Sequence, residues 1–399
     1  MAEDPWLTIV GVGEDGPDGL PPASRLALEA AEIVMGPPRH LALLPGITAE
    51  RIEWPVPFAD GLPVLRALRG RRVVVLASGD PFWFGAGSVI ARHFAPGEWQ
   101  ALPAPSAFSL AAARLGWPLE RTVCLGLHAA PIARLRPHLA PGLRALVLVR
   151  DGAAVLELAR WLTGLGFGET KLLVIEALGG PRERVRQTTA ATLDFDDIAH
   201  PVCVGLDMAG AGAVIPLASG WPDDFFEHDG QITKRPIRAL TLSALAPRPG
   251  EHLWDIGAGS GSVSVEWLAC HTALSATAIE ADPARAARIR ANADRLGADR
   301  MRVVEGAAPQ ALHDLDPPQA VFIGGGLSGA LLADLWARLA PGTRIVANAV
   351  TLESEALLAR WQADHGGSLL RIELAEAQPL GRRRGWRAAY PVVQWSGVR

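Results

Sequence analysis

The stretch LWDIGAGSGSVSVEW, Leu253 to Trp267, decides the fold of the second half of this 399-residue chain. It begins as an apolar run, passes through a loop in which every second residue is glycine, and continues into a helical pattern. A strand, a tight glycine turn and a helix are typical of nucleotide sites, because glycine tolerates positive φ and lets a ligand approach the backbone. This order predicts an α/β domain with a nucleotide-like ligand at the carboxyl end of the strand.

The spacing of the glycines separates two classes of ligand. The dinucleotide pattern G-x-G-x-x-G needs a third glycine at position 262, where the chain has Ser262. The pattern present is D-x-G-x-G-x-G, which resembles the S-adenosylmethionine (SAM) methyltransferases with a Rossmann-like sheet. An acidic residue at the end of the next strand, Glu280, is placed to bind ribose hydroxyls. The loop after the third strand is expected to flank the adenine, and IGGG (Ile323 to Gly326) after the fourth lies at the edge where the methyl acceptor meets SAM. The predicted SAM-binding residues are Asp255, Gly257, Ala258, Gly259, Ser260, Gly261, Glu280, Gly306, Ala307, Ala308, Ile323 and Gly324.

Five strand–helix units precede a late pair of strands in this half. The predicted strands are EHLWDIG, SATAIEA, MRVVEG, QAVFIGGG and TRIVANAV, each followed by a helical pattern. The tail SLLRIELAE…GWRAAYPVVQW predicts two more strands joined by a turn rich in glycine and arginine. This order is expected of a doubly wound sheet with an antiparallel edge.

The first half also alternates strands and helices. Its predicted strands are WLTIVGV, EIVMG, RRVVVLAS, RALVLV, KLLVIEAL and HPVCVGL, with helical patterns such as PASRLALEAAE and SAFSLAAARLG between them. This alternation predicts parallel sheets covered on both faces. Because the pattern restarts around GWPLERTVC, domain 1–210 is expected to contain subdomains of about 1–115 and 116–210. A stretch rich in glycine, proline and acidic residues predicts a linker at 211–230, followed by the second domain at 231–399.

A second loop stands out in VVVLASGDPFWFGAG, Val73 to Gly87. Gly79 can adopt positive φ and Pro81 fixes the turn. Asp80 is thereby left at the carboxyl end of a strand and is a candidate functional carboxylate. The alternative is that Asp80 only caps the turn or the helix that follows.

Motifs along the whole chain carry a more specific resemblance. LTIVGVGEDGPDGL, GPPRHLALLP, LASGDPFWFGAG, APSAFSLAAARLGW, LGLH and EALGGPRERV occur in this order and resemble the tetrapyrrole (precorrin/corrin) methylases, in particular the branch that methylates carbon 5. GQITKRPIRALTLSAL, VVEGAAP, AVFIGGG and VANAVTLES resemble the companion methylases that act on carbon 15 and remove a ring-C acetate carboxylate. The resemblance implies a two-subdomain methylase followed by a Rossmann-like one, two SAM sites and a precorrin substrate of cobalamin biosynthesis.

The same resemblance implies which residues of the first half hold SAM, in a cleft between the two subdomains and largely through backbone atoms. Thr233, in QITK, matches a family position beside SAM in the second half. The residues implied for the first half are Val12, Gly79, Asp80, Pro81, Ser106, Ala107, Leu127, Glu176 and Leu178.

Acid–base candidates follow from the chemistry of methylation at carbon, which leaves a proton to be moved on the ring. Asp80 is the first candidate, with His128 and His40 as others in the first half. In the second half, Glu266 follows the glycine loop on a helix; an ordinary helix carboxylate is the alternative. Decarboxylation needs an electron sink, which the conjugated macrocycle supplies itself, so neither a metal nor pyridoxal phosphate is expected.

The substrate's acetate and propionate groups call for cations, and arginine pairs with carboxylates in bidentate fashion. Lys234, Arg235 and Arg238 precede the glycine loop and are candidates. Arg384 is the candidate from a late cluster with Arg382, Arg383 and Arg387, for which a solvated charged turn is the alternative.

Composition narrows the remaining classes. A net charge of −4 argues against nucleic acid as a partner. The three cysteines are in no metal-ligand spacing, which fits a reducing cytoplasm. The apolar runs are far shorter than a membrane span of roughly 20 residues. Self-association, as tetramers through the second half, is expected by analogy with the carbon-15 methylases.

Two rival functions remain open at this level. One is an RNA or protein methyltransferase with an N-terminal specificity domain, against which stand the charge and the lack of a basic stripe with interleaved aromatics. The other is a SAM sensor without an acceptor cleft, which would bind the donor and turn nothing over.

Overall fold

The computed structural model describes residues 5–399. The chain forms two compact units. The first runs to Ala130 and resumes over His138–Ala213, and the second comprises Pro131–Pro137 and Val214–Arg399. No helix of the described residues is long and apolar enough to cross a membrane.

The first sheet of the first unit is parallel throughout, in the order β3-β2-β4-β1-β5. The runs WLTIVGV, EIVMG and RRVVVLAS form strands as predicted, and their side chains are buried on both faces of the sheet. The elements are β1 (Leu7–Val12), α1 (Pro22–Ala30), β2 (Ile33–Gly36), α2 (Pro38–Leu43), β3 (Glu50–Glu53), α3 (Gly61–Ala67), β4 (Val73–Ser78), α4 (Ala86–His93), β5 (Trp99–Leu102) and α5 (Ala107–Leu115).

The second sheet of the first unit has the order β6-β7-β10-β8-β9, and only β6 and β7 are parallel. The prediction of parallel sheets is wrong here, since β10 lies antiparallel between β7 and β8 and β9 is antiparallel to β8. The antiparallel return is possible because β8 and β9 are joined by a short turn instead of a crossover helix. The elements are β6 (Thr122–Gly126), β7 (Arg144–Val149), α6 (Gly152–Gly164), β8 (Lys171–Glu176), β9 (Arg184–Thr189) and β10 (Val202–Asp207).

The main sheet of the second unit confirms the doubly wound order, β13-β12-β11-β14-β15-β19-β16, with β19 antiparallel. One connection differs from the prediction, because β13 leads to β14 through a 3₁₀ turn and not a helix. The elements are α7 (Arg235–Leu245), β11 (His252–Ile256), α8 (Ser262–Cys270), β12 (Ser275–Glu280), α9 (Pro283–Leu296), β13 (Met301–Glu305), β14 (Ala320–Ile323), α10 (Gly329–Arg338), β15 (Arg344–Ala349), α11 (Leu352–His365), β16 (Ser368–Ile372) and β19 (Val392–Val398).

The predicted turn rich in glycine and arginine does not join the two late strands directly. It closes a separate two-stranded ribbon, β17 (Ala375–Leu380) and β18 (Arg383–Ala388), inserted between β16 and β19. Trp386 is 79% exposed on this ribbon and Leu380 is 70% exposed. An isolated two-stranded ribbon is marginally stable in water. The exposed apolar side chains of this ribbon form a surface that a single chain leaves uncovered.

The stretch predicted as a linker packs on the second unit. Its apolar residues Ile215, Trp221 and Phe226 are each at most 4% exposed and belong to the same core as Leu242 and Trp267. The segment 211–230 has the composition of a loop. Its few large apolar residues are nevertheless buried in the core of the second unit.

Candidate active sites

A cavity of about 430 Å³ opens at the carboxyl ends of the parallel strands in the second unit. Doubly wound sheets bind their ligands at this edge, where the strand order reverses between β11 and β14. The predicted residues that line it are Thr233, Lys234, Gly257, Ala258, Gly259, Glu280, Gly306, Ala307, Ala308 and Gly324. Gly325 and Gly326, which complete the predicted IGGG segment, also line it. The lining residues that the sequence did not predict are Gln231, Ile232, Ile237, Ile256, Ile279, Ala281, Arg285, Asn348, Val350 and Val392.

The glycine loop between β11 and α8 is shaped by backbone that other residues adopt only with strain. Gly257, Gly259 and Gly261 have φ of 67°, 61° and 73°. A Cβ at Gly257 would lie 2.6 Å from the backbone of Gly325. The loop can therefore lie flat against the end of β14, and its lack of side chains leaves room for a ligand to approach the backbone. The amides of Gly257, Ala258 and Gly261 donate to carbonyls of the protein, so they hold the loop in this shape.

The Glu280 carboxylate lies beside this loop at the end of β12. Its Oε2 accepts a hydrogen bond from the Gly259 amide (2.8 Å), and its Oε1 accepts one from the Asp282 amide (3.0 Å). Each oxygen keeps a further lone pair, and the residue lines the cavity. This geometry suits a pair of ribose hydroxyls.

Four predicted SAM-binding residues do not line this cavity: Asp255, Ser260, Gly261 and Ile323. Asp255 is 1% exposed, and its Oδ2 accepts a hydrogen bond from the Ser264 hydroxyl (2.7 Å). Burial raises the pKa of Asp255 to about 6. The carboxylate thus supports the start of α8. Within the D-x-G-x-G-x-G pattern, Asp255 has this structural role, while Gly257 and Gly259 line the cavity.

Arg238 and Glu266 form a buried ion pair, which corrects both predicted roles. Arg238 is not exposed at all, and its Nε lies 2.5 Å from Glu266 Oε1. The Glu266 carboxylate also accepts hydrogen bonds from the amides of Gly220 and Trp221. Because every oxygen of Glu266 has a protein partner and neither residue lines the cavity, Arg238 is unavailable to substrate carboxylates and Glu266 has no access to a substrate.

The same arginine fixes the segment that forms one wall of the cavity. Its Nη1 donates to the Thr233 carbonyl (2.5 Å) and to Asp223 (3.0 Å), and its Nη2 donates to the Trp221 carbonyl (2.5 Å). Thr233 and Lys234 follow at the cavity. The Lys234 side chain is 57% exposed, with its Nζ 4.0 Å from Asp223, so its ammonium group is the accessible cation of the predicted set at this wall.

The other predicted cations lie outside the cavity lining. Arg235 is exposed at the start of α7. Arg384 and its neighbours Arg382, Arg383 and Arg387 are exposed on the β17–β18 ribbon, as in the alternative of a solvated charged turn.

In the first unit, the SGDP loop follows the carboxyl end of β4 and contacts the end of β1. Gly79 has φ of 51°, its amide donates to the Val12 carbonyl (3.0 Å), and its carbonyl accepts from the Ala104 amide (3.1 Å). A Cβ at Gly11 would collide with that carbonyl. Asp80 Oδ1 accepts a hydrogen bond from the Phe82 amide (2.9 Å), so the carboxylate does cap the turn, as its alternative role requires.

The remaining predicted residues of the first unit are mostly buried. Val12, Ser106, Leu127 and Leu178 are 3%, 6%, 6% and 9% exposed, and Ser106 caps the start of α5. Leu178 borders a small cavity of about 190 Å³ with Leu110, Ala113, Arg114 and Gly179.

Glu176 is 1% exposed and is held by structural partners. Its carboxylate pairs with Arg184 (2.7 Å) and Arg186 (3.1 Å) and accepts from the Ala199 amide (2.6 Å). Its side chain therefore joins β8 to β9, and only its backbone remains for the cofactor contact that the resemblance implies.

The histidines of the first unit differ in environment. His128 is exposed. His40 is 4% exposed, with Nε2 2.9 Å from Ser78 Oγ and 2.7 Å from Arg39 Nη2. Burial, and then the charge of Arg39, lower the pKa of His40 to about 4. A neutral, enclosed imidazole next to a guanidinium is a poor proton acceptor, which argues against His40 as the base.

Comparison with known proteins assigns each half to a family. Residues 6–194 match the model of the tetrapyrrole (corrin/porphyrin) methylases, and residues 224–399 match the precorrin methyltransferase domain. Fold, site and models together define a methyltransferase with SAM as methyl donor.

Relatives define the family more closely. A Sinorhizobium protein named precorrin-6Y C(5,15)-methyltransferase (decarboxylating) is 50% identical over 398 residues, which cover 98% of this chain and 96% of that protein. This chain belongs to the family of precorrin-6Y C(5,15)-methyltransferases and is a decarboxylating C-methyltransferase.

Two Salmonella typhimurium proteins match parts of the chain. One, named cobalt-precorrin-7 C(5)-methyltransferase, is 28% identical and covers 48% of this chain and 94% of its own length. The other, named cobalt-precorrin-6B C(15)-methyltransferase (decarboxylating), is 33% identical and covers 40% of this chain and 85% of its own length.

Proposed function

We propose that the two units perform separate methylations of one precorrin, each with its own SAM site. The first unit methylates carbon 5. The second methylates carbon 15 of precorrin-6B (6Y) and removes the carboxylate of the ring-C acetate, so that the product is precorrin-8. The observation that carries this proposal is the cavity of the second unit, whose glycine loop and Glu280 are contributed by that unit alone, while a different family model covers the other half.

SAM supplies a methyl group on a sulfonium: the S–CH₃ bond breaks as the macrocycle forms a new C–C bond, and a thioether leaves. The residues of the second unit position the two reactants and exclude water. Gly257, Gly259 and Glu280 hold the donor, and the apolar side chains of Ile237, Val350 and Val392 bound the remainder of the cavity. Lys234 pairs with a carboxylate of the macrocycle.

Decarboxylation breaks the bond between the acetate methylene and its carboxylate. The electron pair enters the conjugated macrocycle, CO₂ leaves, and a proton restores the methyl group. The protein's contribution is to orient the carboxylate against the ring system and keep the site dry.

In the first unit, the backbone of the SGDP loop, Val12, Ser106, Ala107 and Leu127 hold the donor. Asp80 remains the first candidate for moving the ring proton, because its Oδ2 has no partner among the described residues. His128, which is exposed, is the second candidate.

We also propose that the protein works in the cytoplasm and self-associates through its second unit, without a nucleic-acid or membrane partner. The exposed apolar side chains of the β17–β18 ribbon support self-association. The alternative of an RNA or protein methyltransferase is not favoured, since both halves match methylase families of tetrapyrrole chemistry.

The direct test is a product count. The purified chain is incubated with isotopically labelled SAM and the reduced precorrin, and the products are examined by mass spectrometry. The expected product carries two labelled methyl groups and has lost one carboxylate as CO₂. A product with one methyl group, or none, would contradict a bifunctional enzyme.

A further inference from the structure

A buried polar triad lies behind one wall of the second unit's cavity. Asn348, near the end of β15, lines the cavity, and its Nδ2 donates to Thr241 Oγ1 (2.9 Å) on α7. Gln394 on β19 donates through its Nε2 to Asn348 Oδ1 (2.9 Å) and to Thr241 Oγ1 (3.2 Å). Thr241 and Gln394 are 0% and 4% exposed, so their side chains have no route to solvent.

These bonds fix the amide of Asn348 in one orientation. Turning the side chain would break a hydrogen bond on each side and strand buried polar atoms, which is costly. An asparagine amide offers two N–H donors and two lone pairs. One N–H and one lone pair are used by the triad, and no residue in the described part of the chain takes the others.

The position of Asn348 in the sheet separates it from the donor site. The glycine loop, Glu280 and Gly306–Ala308 follow β11, β12 and β13, on one side of the point where the strand order reverses. Asn348 is on β15, on the other side of β14. The neighbouring wall residues Ile237, Val350 and Val392 are apolar, so the amide is a polar group set in an apolar surface.

We propose that Asn348 binds the tetrapyrrole, its free N–H donating to an oxygen of a carboxylate on the macrocycle, and that Thr241 and Gln394 are the residues that position it. This rests on the proposed function of the second unit. A neutral hydrogen-bond donor suits a carboxylate that leaves as CO₂. It orients the carboxylate without stabilising its negative charge in the ground state as strongly as a cation would.

The test compares Asn348→Ala with wild type in four measurements: methylation at carbon 15, CO₂ release, methylation at carbon 5, and binding of S-adenosylhomocysteine. Loss of one hydrogen bond to a carboxylate is expected to lower kcat/KM for carbon-15 methylation and CO₂ release by roughly 10- to 100-fold. Methylation at carbon 5 and binding of the donor analogue should stay unchanged. Gln310→Ala, which removes an exposed amide outside the cavity lining, is the matched control and should behave as wild type.

Thr241 tests the positioning. Thr241→Val should also lower kcat/KM for carbon-15 methylation and CO₂ release. Thr241→Ser keeps the hydroxyl and should retain the wild-type value. The proposal is overturned if Asn348→Ala leaves carbon-15 methylation and CO₂ release unchanged, or if it weakens binding of S-adenosylhomocysteine to the same extent as turnover. Failure of wild type itself to methylate carbon 15 would instead contradict the proposed function.

Discussion

His40 illustrates how a single buried side chain acquires its properties from its neighbours. The ring lies beneath the end of β4, between Arg39 and Ser78, and has almost no contact with solvent. Protonation would place a second positive charge next to the Arg39 guanidinium in a poorly solvated position, which is why the pKa of His40 falls to about 4.

This depressed pKa predicts acid sensitivity of the first unit. Unfolded histidine binds its proton below about pH 6.5 and folded His40 only below about pH 4, so stability is lost as the pH falls through that window. Wild type should lose up to about 3 kcal/mol more than His40→Gln between those pH values, since each pH unit between the two pKa values contributes about 1.4 kcal/mol. Hydrogen exchange of the β1 and β4 amides as a function of pH measures this loss of stability.

The exposed His313 in the second unit provides the matched control for that experiment. His313→Gln should follow the wild-type pH dependence. Equal pH slopes for wild type and His40→Gln would contradict a buried neutral imidazole.

At this scale the sequence predicts residues whose role is local. Gly257, Gly259 and Glu280 could be found because a turn of positive φ and an acidic strand end are written in consecutive residues. Asn348 could not be found in that way, because its orientation depends on Thr241 and Gln394, which are 107 and 46 residues away along the chain.

Among the elements, α8 carries a structural carboxylate that is buried together with most of the helix. Residues 262–268 are all buried, and Glu266 stands in their midst opposite Arg238 of α7. A helix that is apolar on all sides is an interior helix, so a single glutamate in SVSVEWLAC indicates a buried partner. The sequence contains this signal, but not the identity of the partner.

Glu266→Ala is therefore expected to destabilise the second unit. Without Glu266, the buried Arg238 guanidinium keeps only the partly exposed Asp223 as a counter-ion, and the amides of Gly220 and Trp221 lose their acceptor. The expected cost is about 3 kcal/mol, the lower end of the range for breaking a buried ion pair. This loss of stability is measured by unfolding the protein in denaturant and monitoring the hydrogen exchange of amides in β11. Glu355→Ala, which removes a partly exposed carboxylate 3.7 Å from Arg371, is the control and should cost less than about 1 kcal/mol.

The two roles considered for Glu266 give opposite results. A variant that unfolds at the wild-type denaturant concentration and has lost only carbon-15 methylation would show a catalytic carboxylate. A destabilised variant whose residual folded fraction turns over normally agrees with the ion pair.

Strands were predictable where both faces are buried, as in VVVLAS and LTIVGV. They were missed where they are short or polar, as in ERIE (β3) and RVRQTT (β9), which lie at sheet edges. Antiparallel pairing in the second sheet was missed for a related reason: the run HPVCVGL has the same apolar character in either direction.

At the scale of the whole molecule, the two units have different sheet topologies and match different family models. The order of motifs along the chain predicts this pairing, because each motif set is local to one half. The assignment of residues 214–230 to the second unit required the structure, since only packing reveals that Trp221 and Phe226 belong to its core.

The central claim is that the chain holds two independent donor sites, and the stoichiometry of S-adenosylhomocysteine binding, measured by titration calorimetry, tests it most directly. Gly79→Val and Gly259→Arg each place bulk in one predicted site. Gly142→Val and Gly342→Arg are the controls, because both glycines have positive φ and a Cβ at either would meet nothing within 4 Å. The account predicts two bound molecules per chain for wild type and both controls, and one for each site variant. One molecule per wild-type chain, or loss of both by either site variant with its circular dichroism unchanged, would contradict it.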